Sequence, residues 1–456
     1  MAENNKNSNK TAPVNPRRTA YNVLLKVESE GGYSNISLNA ALGAAGLESR
    51  DKAFVTKIVY GVLENSSYLD YIIDRLSKVK SSKLEPEVRC ILRMGLYQMT
   101  FLDTPDSAAV NESVNLAKKL KLFRATGFIN GLLRSYIRGG KSVELPDRRK
   151  NPALYLCVRY SCPRWLVELW QEAYGGEVCE KILQSLCERP PIYARVNTAK
   201  ISAEALAESF EQRGVSAEKS SLLPDCLILE NTGSVKELPQ YVRGEFHVQD
   251  GSSQLCCMIA APGKGSKVYD VCAAPGGKTF TLAELMGDSG EVVSCDIYPH
   301  RVELIAEGAK RLGLKCVNPS VKDALTEITE QDGDLVLCDV PCSGLGIIRR
   351  KPEIKHKSPR EVGELPDLQY RILENSAKLV REGGRLVYST CTLNPKENSE
   401  VVQRFLREHR EFAPCPIKLP DGVRRVIDEP DSMLTIFPFM ADTDGFFIST
   451  MTRGLN

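Results

Sequence analysis

The sequence predicts a multidomain protein with an all-α N-terminal domain, a small α+β module and an α/β domain built on a Rossmann-like sheet. Its 456 residues exceed what one hydrophobic core usually organises. From residue 17 to about 138, apolar residues recur at helical spacing with no useful strand-like alternation. From about 246 to the C-terminus, strand-like runs alternate with helical ones, which predicts a parallel doubly wound sheet.

The N-terminal part divides into a tail and a helical domain. Residues 1–16 are rich in Asn and Lys and are expected to be disordered. The helical domain is assigned to 17–140, where breaks at Gly31-Gly32 and Thr104-Pro105 separate six to eight predicted helices.

The middle of the chain predicts a linker and a small module. Residues 141–152 combine charge with helix-breaking residues and are assigned to the linker. Residues 153–245 mix helical patterns with two strand candidates, Ile192–Val196 and Cys226–Leu229, and predict the α+β module.

Residues 246–456 carry the strongest strand signals. These are Lys267–Cys272, Glu291–Ile297, Leu335–Val340 and Gly384–Thr390. A last strand at 445–451 follows a long stretch without a strong helix, so it is expected to run antiparallel.

Composition excludes several protein classes. No apolar run reaches the length of a membrane span and the polar N-terminus lacks a signal-peptide core, so a cytoplasmic protein is expected. The 15 cysteines are an odd number without any Cys-x-x-Cys pair, which favours reduced thiols over disulfides or zinc. The four histidines show no metal-ligand spacing, and no metal is expected.

Two basic runs are candidate phosphate-binding segments. Residues 118–150 contain ten Lys or Arg and two acids. A second run, Arg349–Lys351 followed by Lys355–Lys357, comes shortly after Cys342. A solvated face is the ordinary interpretation of such runs. The position of the second run near a candidate reactive thiol favours contact with RNA.

A tight turn from Cys272 to Thr279 follows the first strand of the α/β domain and suits the close approach of a nucleotide-like ligand. Asp296 ends the next strand, 24 residues beyond Cys272, where an acid typically accepts hydrogen bonds from a ribose. Asp323 and Asp339 follow the third and fourth strands. Helix capping is the alternative role for such aspartates.

The Gly277-Lys278-Thr279 sequence also resembles part of a nucleoside-triphosphate loop. That loop has the pattern Gly-x-x-x-x-Gly-Lys-Ser/Thr. Its first glycine would fall at position 272, where this chain has Cys272. Pro275 further restricts the turn. A triphosphatase is therefore the weaker interpretation.

Two thiols each follow a strand and enter a turn. Cys342 lies in Asp339-Val340-Pro341-Cys342-Ser343-Gly344, and Cys391 lies in Ser389-Thr390-Cys391-Thr392. Carbon 5 of cytosine is unreactive until carbon 6 accepts a nucleophile, so a thiol beside a group-donating cofactor suits cytosine modification.

Together, Cys272–Thr279, Asp339–Gly346 and Ser389–Asn394 resemble the signature blocks of the Sun/RsmB family of RNA cytosine-carbon-5 methyltransferases. The N-terminal helical region, with Arg17–Ala20 near its start, resembles a NusB-like RNA-binding domain. The resemblance implies a class I methyltransferase domain, S-adenosylmethionine as methyl donor, and an RNA-binding role for the α+β module. It also implies a substrate cytosine of the 967 type in 16S ribosomal RNA, either free or in an assembling small subunit.

The resemblance assigns roles by position, with Cys391 as nucleophile and Cys342 as the cysteine that releases the product. Asp339 and Lys278 complete the catalytic set. DNA cytosine methyltransferases use the Pro-Cys thiol as nucleophile, so the order of the two roles rests on family likeness. The implied cofactor contacts are Cys272, Ala273, Ala274, Pro275, Gly276, Gly277, Lys278, Asp296, Asp323 and Asp339.

A monomer is expected. Two alternatives from other classes stay open at this point: a non-catalytic RNA-binding or antitermination-like factor, and an RNA-dependent nucleoside triphosphatase. The first predicts that Cys391→Ala leaves function intact, and the second predicts magnesium-dependent hydrolysis.

Overall fold

The computed structural model describes residues 15–30, 34–326 and 331–455, which form two compact units. Unit 1 comprises the chain up to Glu168 together with Lys351–His356, and unit 2 comprises Leu169–Arg350 with the chain from Lys357 onward. The predicted tail lies outside the described residues up to position 14.

Unit 1 is built from helices, which confirms the predicted all-α domain. Asn15 begins the fold as a cap, because its side-chain oxygen accepts the Arg17 N–H at 2.9 Å. The central helix is buried at almost every position from Val88 to Met99. The helices are α1 (Pro16–Glu30), α2 (Ser34–Ala44), α3 (Ser49–Glu64), α4 (Ser66–Leu76), α5 (Pro86–Phe101), α6 (Asp106–Lys119), α7 (Thr126–Arg138), α8 (Pro152–Arg159) and the start of α9 (Arg164–Ser185).

The segment Lys351–His356 is part of the packing of unit 1. Glu353 accepts hydrogen bonds from the backbone N–H and the hydroxyl of Ser34, at 3.1 and 2.7 Å. Lys355 is buried and donates to the carbonyl oxygens of Glu64 and Ser161, both at 3.0 Å. The predicted contact of Lys355 with RNA is therefore wrong, because its ammonium satisfies backbone carbonyls.

Unit 2 begins with a four-stranded antiparallel sheet in the order β2-β3-β1-β4. The two predicted strands are present. Strand β4 pairs with β1, although it lies beyond residue 245, the predicted end of the α+β module. Phe210 and Phe246 pack edge to face beneath the sheet, with ring centroids 5.4 Å apart. The elements are β1 (Ile192–Val196), α10 (Ala203–Glu211), β2 (Ser216–Lys219), β3 (Cys226–Glu230), α11 (Pro239–Val242) and β4 (Phe246–Val248).

The second sheet of unit 2 has the order β10-β12-β9-β8-β5-β6-β7, with β11 paired to β12. Strands β5 to β9 run parallel, and the last strand is antiparallel to β9, as predicted. The strands are β5 (Lys267–Asp270), β6 (Glu291–Asp296), β7 (Val317–Val321), β8 (Gly333–Asp339), β9 (Val380–Thr390), β10 (Phe412–Pro414), β11 (Met433–Ile436) and β12 (Phe446–Arg453).

Helices cover both faces of this sheet, which explains why its central strands are apolar on both sides. One core includes Leu255 and Leu282 on one face, and another includes Leu373 and Phe405 on the other. The helices are α12 (Gly251–Ala260), α13 (Gly277–Leu285), α14 (Pro299–Leu312), α15 (Pro359–Gly363), α16 (Leu365–Ala377) and α17 (Ser399–Glu408). Within the described ranges, no helix combines the length and apolar character that crossing a membrane requires.

Candidate active site

The carboxyl ends of four neighbouring parallel strands form one edge of the large sheet. Strand register places Asp270 beside Leu337, and Asp296 beside Val321. Asp296 ends β6, Asp339 ends β8, and Asp323 lies two residues beyond β7. The structure thus brings the predicted carboxylates to the edge where open α/β sheets bind ligands.

The turn between β5 and α13 is closed by backbone hydrogen bonds. The Gly276 N–H donates to the Ala273 carbonyl at 2.8 Å, and the Ala273 N–H donates to Cys295 on β6 at 2.8 Å. Gly276 has φ of 105°, and a Cβ there would overlap the ring of Phe280. Glycine at this position therefore allows the turn to lead directly into the N-terminus of α13.

Asp296 and Asp323 also serve the local chain. Asp296 is buried, accepts from the Tyr298 N–H at 3.1 Å and pairs with Arg301 at 3.2 Å. Asp323 accepts from the Leu325 N–H at 2.9 Å. Each carboxylate thus accepts a backbone N–H two residues further along the chain, which is a turn contact. The helix-capping alternative is not supported, because the N-cap of α14 is Tyr298 and the described residues after Asp323, up to 326, form no helix.

Asp270 is a buried carboxylate at this edge that the sequence analysis did not select. One oxygen accepts from the Thr279 hydroxyl at 2.8 Å, and the other has no hydrogen-bond partner. Desolvation is the main effect that raises the pKa of Asp270 to about 7. The Thr279 hydrogen bond acts to lower this pKa, and the charge of Asp339 acts to raise it. Its place directly before the glycine turn was the available sequence signal.

Lys278 and Asp339 form an ion pair with a separation of 2.7 Å between Nζ and Oδ2. The Ser389 hydroxyl donates to the other Asp339 oxygen at 2.8 Å. Burial acts to lower the pKa of Lys278, but the Asp339 carboxylate outweighs it, so the pKa lies well above its ordinary value. Lys278 therefore carries a fixed positive charge into the site.

The two predicted thiols meet. The Sγ atoms of Cys342 and Cys391 are 3.1 Å apart, although 49 residues separate them in sequence. The Gly346 N–H donates to the Cys391 carbonyl at 3.0 Å, which ties the two turns together. The hydrogen bond to Cys391, followed by burial, raises the pKa of Cys342 well above its ordinary value. Cys342 therefore stays protonated at neutral pH.

Glu397 is a second functional candidate that the sequence analysis missed. Its side chain is completely buried and accepts from the Ser343 N–H at 2.8 Å, directly after Cys342. The sequence signal was an acid six residues after Cys391, but only the fold places that acid beside Ser343.

The basic side chains closest in sequence to Cys342 are structural. Arg349 is inaccessible to solvent and pairs with Asp442 and Asp444, and Arg350 pairs with Asp444 and Asp250. The predicted contact of Arg349 with RNA is wrong, because its side chain is inaccessible and is neutralised by carboxylates of the same unit. The side chain of Arg350 is 28% exposed, so its contact with RNA stays a prediction.

Comparison with known proteins identifies the family. A family model described as 16S rRNA methyltransferase RsmB/F matches residues 257–452. The NusB family matches 14–138, and the ferredoxin-like domain of RsmF/B-like methyltransferases matches 162–236. The probable ribosomal RNA small subunit methyltransferase B of Bacillus subtilis is 38% identical, over 96% of this chain and 98% of the relative. The chain belongs to the RsmB/F family of 16S rRNA methyltransferases.

Further relatives agree with this family. The probable ribosomal RNA small subunit methyltransferase B of Synechocystis is 35% identical, over 96% of this chain and all of the relative. The crystal structure of PH0851 has a TM-score of 0.80 and 26% identity, covering 96% of this chain and 99% of that one. These matches confirm the predicted fold class, with its NusB-like, ferredoxin-like and methyltransferase parts.

As an RsmB/F member, the protein is an rRNA methyltransferase that uses S-adenosylmethionine. The residues at the sheet edge fit this cofactor. The unpartnered Asp270 oxygen suits a cationic amine, the Gly276 turn leaves room for close backbone approach, and acids at strand ends suit ribose hydroxyls.

Proposed function

We propose that this enzyme methylates carbon 5 of a specific cytosine of 16S rRNA, of the 967 type, through a covalent cysteine–cytosine adduct. The observation that carries the proposal is the pair of thiols, 3.1 Å apart, at the edge where the Lys278–Asp339 ion pair lies. A methyltransferase that acted on an already nucleophilic atom would need no thiol there, whereas carbon 5 of cytosine requires one.

The reaction needs a nucleophile first, and the family likeness assigns that role to Cys391. Cys391 as thiolate adds to carbon 6 of the base, which makes carbon 5 electron-rich. S-adenosylmethionine, when bound, supplies an electrophilic methyl group. After methylation, carbon 5 loses its proton, the carbon 5–carbon 6 double bond re-forms, and the bond between carbon 6 and Cys391 breaks to release the thiolate.

The contacts of the thiol pair support different roles for its members. Cys342 holds its proton because of the hydrogen bond to Cys391 and its burial, which leaves Cys391 as the member that attacks. A water that Cys342 orients then takes the carbon 5 proton, while the protonated Cys342 thiol donates a hydrogen bond to Cys391 as it departs as a thiolate.

Asp339 and Lys278 address the base itself. We assign Asp339, supported by the fixed charge of Lys278, to stabilising or protonating nitrogen 3 of the ring as electrons move from carbon 6. Electrostatic stabilisation of this kind is strong because both groups are fixed before the reaction begins.

For the cofactor, the turn at Cys272–Gly277 is assigned to close backbone contact. This turn comprises Cys272, Ala273, Ala274, Pro275, Gly276 and Gly277. Lys278 and Asp339 are also assigned to contacts with the cofactor. Asp296 is assigned to the ribose hydroxyls and Asp323 to the adenine amino group.

The substrate cytosine must leave its stack, because attack on carbon 6 requires access to the face of the base. The ten basic side chains of the run 118–150 are all exposed on unit 1. We assign them to the phosphates of the substrate RNA. This run keeps its predicted interpretation as an RNA-binding segment.

The test compares wild type, Cys391→Ala and Cys342→Ala on unmodified 16S rRNA with S-adenosylmethionine, with products analysed for 5-methylcytosine. Cys187→Ala, which removes an exposed thiol on the linker after α9, is the control. The proposal expects Cys391→Ala to lose product, Cys342→Ala to accumulate protein bound to RNA, and the control to match wild type. Methylation at a base other than cytosine, or full activity of Cys391→Ala, would overturn it.

A further inference from the structure

Glu397 connects the turns that carry the two thiols. It lies in a short 3-10 turn, Pro395–Glu397, and its carboxylate is inaccessible to solvent. Four hydrogen bonds reach it at 2.5 to 2.9 Å. Their donors are the Ser343 N–H, the Ser343 hydroxyl, the Gln369 amide and the Asn394 amide.

These donors come from three separate parts of unit 2. Ser343 follows Cys342, and Asn394 lies three residues after Cys391. Gln369 on α16 donates to Glu397 at 2.9 Å and also to the Pro341 carbonyl at 3.0 Å, so it reaches the Cys342 turn from the other side. The Ser343 hydroxyl lies 2.7 Å from the Thr392 hydroxyl, which completes the link. A single carboxylate thus holds both turns.

The charge of Glu397 is held by neutral groups. Among the described residues, the salt bridges do not include Glu397, and its four close donors are amides and a hydroxyl. A buried carboxylate without a cation is costly unless every acceptor position is filled. A glutamine would turn an NH₂ group toward some of the same donors, so shape alone does not substitute for the carboxylate.

We propose that Glu397 is a positioning residue for the two-thiol reaction, which fixes the separation of Cys342 and Cys391 and supplies a negative charge beside Cys342. This inference deepens the proposed function and rests on it. The charge of Glu397 acts in the same direction as the larger effects of the Cys391 hydrogen bond and burial, all of which raise the pKa of Cys342. Glu397 therefore helps to keep Cys342 in its protonated form.

The kinetic test uses Glu397→Gln and Glu397→Asp, with Glu429→Gln as the matched control. Glu429 is a partly buried carboxylate that accepts from the Thr435 N–H and hydroxyl, both at 2.8 Å, and belongs to neither thiol turn. We expect Glu397→Gln to lower kcat roughly 100-fold, the scale of a misplacement of about 1 Å, with an unchanged KM for S-adenosylmethionine. Glu397→Asp should recover part of the loss. Equal effects of Glu397→Gln and the control on kcat would overturn the inference.

A second readout does not depend on turnover. Alkylation of Cys342 and Cys391 by iodoacetamide is followed against pH by peptide mass spectrometry, with melting temperatures confirming that each variant is folded. Removing a nearby negative charge makes a thiolate easier to form, so the Cys342 profile should move to lower pH in Glu397→Gln and stay in place in Glu397→Asp and Glu429→Gln. An unmoved profile in Glu397→Gln would overturn the electrostatic role.

Different results would contradict the proposed function and the positioning role of Glu397. If wild type makes no 5-methylcytosine, the proposed function is wrong, whatever the alkylation profiles show. If wild type makes 5-methylcytosine while Glu397→Gln retains its kcat and its Cys342 profile, the positioning inference alone is wrong.

Discussion

At the residue scale, Lys278 and Asp339 depend on each other. The pair is largely buried, with side-chain exposures of 11% and 28%, so removing one partner leaves a poorly solvated charge. Single removal should therefore harm folding as well as chemistry.

Replacing the lysine separates these two effects. We expect Lys278→Met to lower the free energy of unfolding by about 3 kcal/mol, the lower end for a broken buried pair. The double variant Lys278→Met/Asp339→Asn should recover much of that stability but none of the methylation activity. Urea denaturation and methylation assays measure both. A double variant no more stable than Lys278→Met would contradict the pairing.

Asp270 gives a prediction of pH dependence. Its pKa in the folded protein is about 7, above its ordinary value of 3.8, so the folded state binds more protons than the unfolded state between these limits. Stability is therefore lost as pH rises through this window, and Asp270→Asn lacks that loss. Without cofactor, the variant should gain stability relative to wild type between pH 4 and pH 8 in urea denaturation. A difference that does not change with pH would contradict this pKa.

At the element scale, close packing of backbone holds the two thiol turns together. The Gly445 N–H donates to the Gly346 carbonyl at 2.8 Å. A Cβ at Gly346 would overlap the Gly445 carbonyl and lie 2.8 Å from the Cys391 carbonyl oxygen. Gly346 is thus the residue that permits the turn after Cys342 to pack against the turn at Cys391.

Gly346→Ala should therefore separate the turns. We expect adduct formation with RNA to fall at least roughly tenfold, since small displacements of reacting groups have large effects, while S-adenosylmethionine binding persists. Gly363→Ala is the control, because a Cβ at Gly363 meets nothing within 4 Å. Adduct trapping and calorimetric cofactor binding measure the two effects. Equal adduct formation by both variants would show that the close approach is unimportant.

The elements also show what sequence patterns detect. Apolar runs bounded by turn residues predicted β1, β3, β6 and β8 closely, because burial on both faces leaves an unbroken hydrophobic signal. Strands β2, β4, β10 and β11 were not predicted. β2 reads Ser-Ala-Glu-Lys and is largely exposed, and β4 has only three residues, so neither offers a pattern that differs from a loop.

The sequence likewise predicted only part of the candidate site. Motifs located Cys342, Cys391 and the cofactor turn, because these residues sit at strand ends whose order the sheet fixes. Glu397 and the buried arginines depend on contacts between distant segments, so their environment was not visible from spacing. Arg349 is an example, because in the sequence it is part of a basic run that resembles an RNA-binding patch. In the fold it pairs with Asp442 and Asp444, which lie more than 90 residues away in the sequence.

At the scale of the whole molecule, six residues that lie between two segments of unit 2 belong to unit 1. They are Lys351–His356. The chain leaves unit 2 after Arg350 and returns at Lys357. On its return, Lys357 donates to the Ser343 carbonyl at 2.8 Å, in the turn of Cys342. The sequence patterns of two successive domains do not predict that this segment belongs to unit 1, because the segment has no periodic signal of its own.

The central claim is that Cys391 forms a covalent adduct with cytosine in 16S rRNA. The direct measurement is to react the enzyme and S-adenosylmethionine with 16S rRNA containing 5-fluorocytidine, whose carbon 5 has no proton to lose, and to sequence the trapped peptide by mass spectrometry. The account predicts a methylated fluorocytosine attached to Cys391, in the tryptic peptide 386–396. A nucleotide attached to Cys342, or methylated RNA formed without any trapped protein, would contradict it.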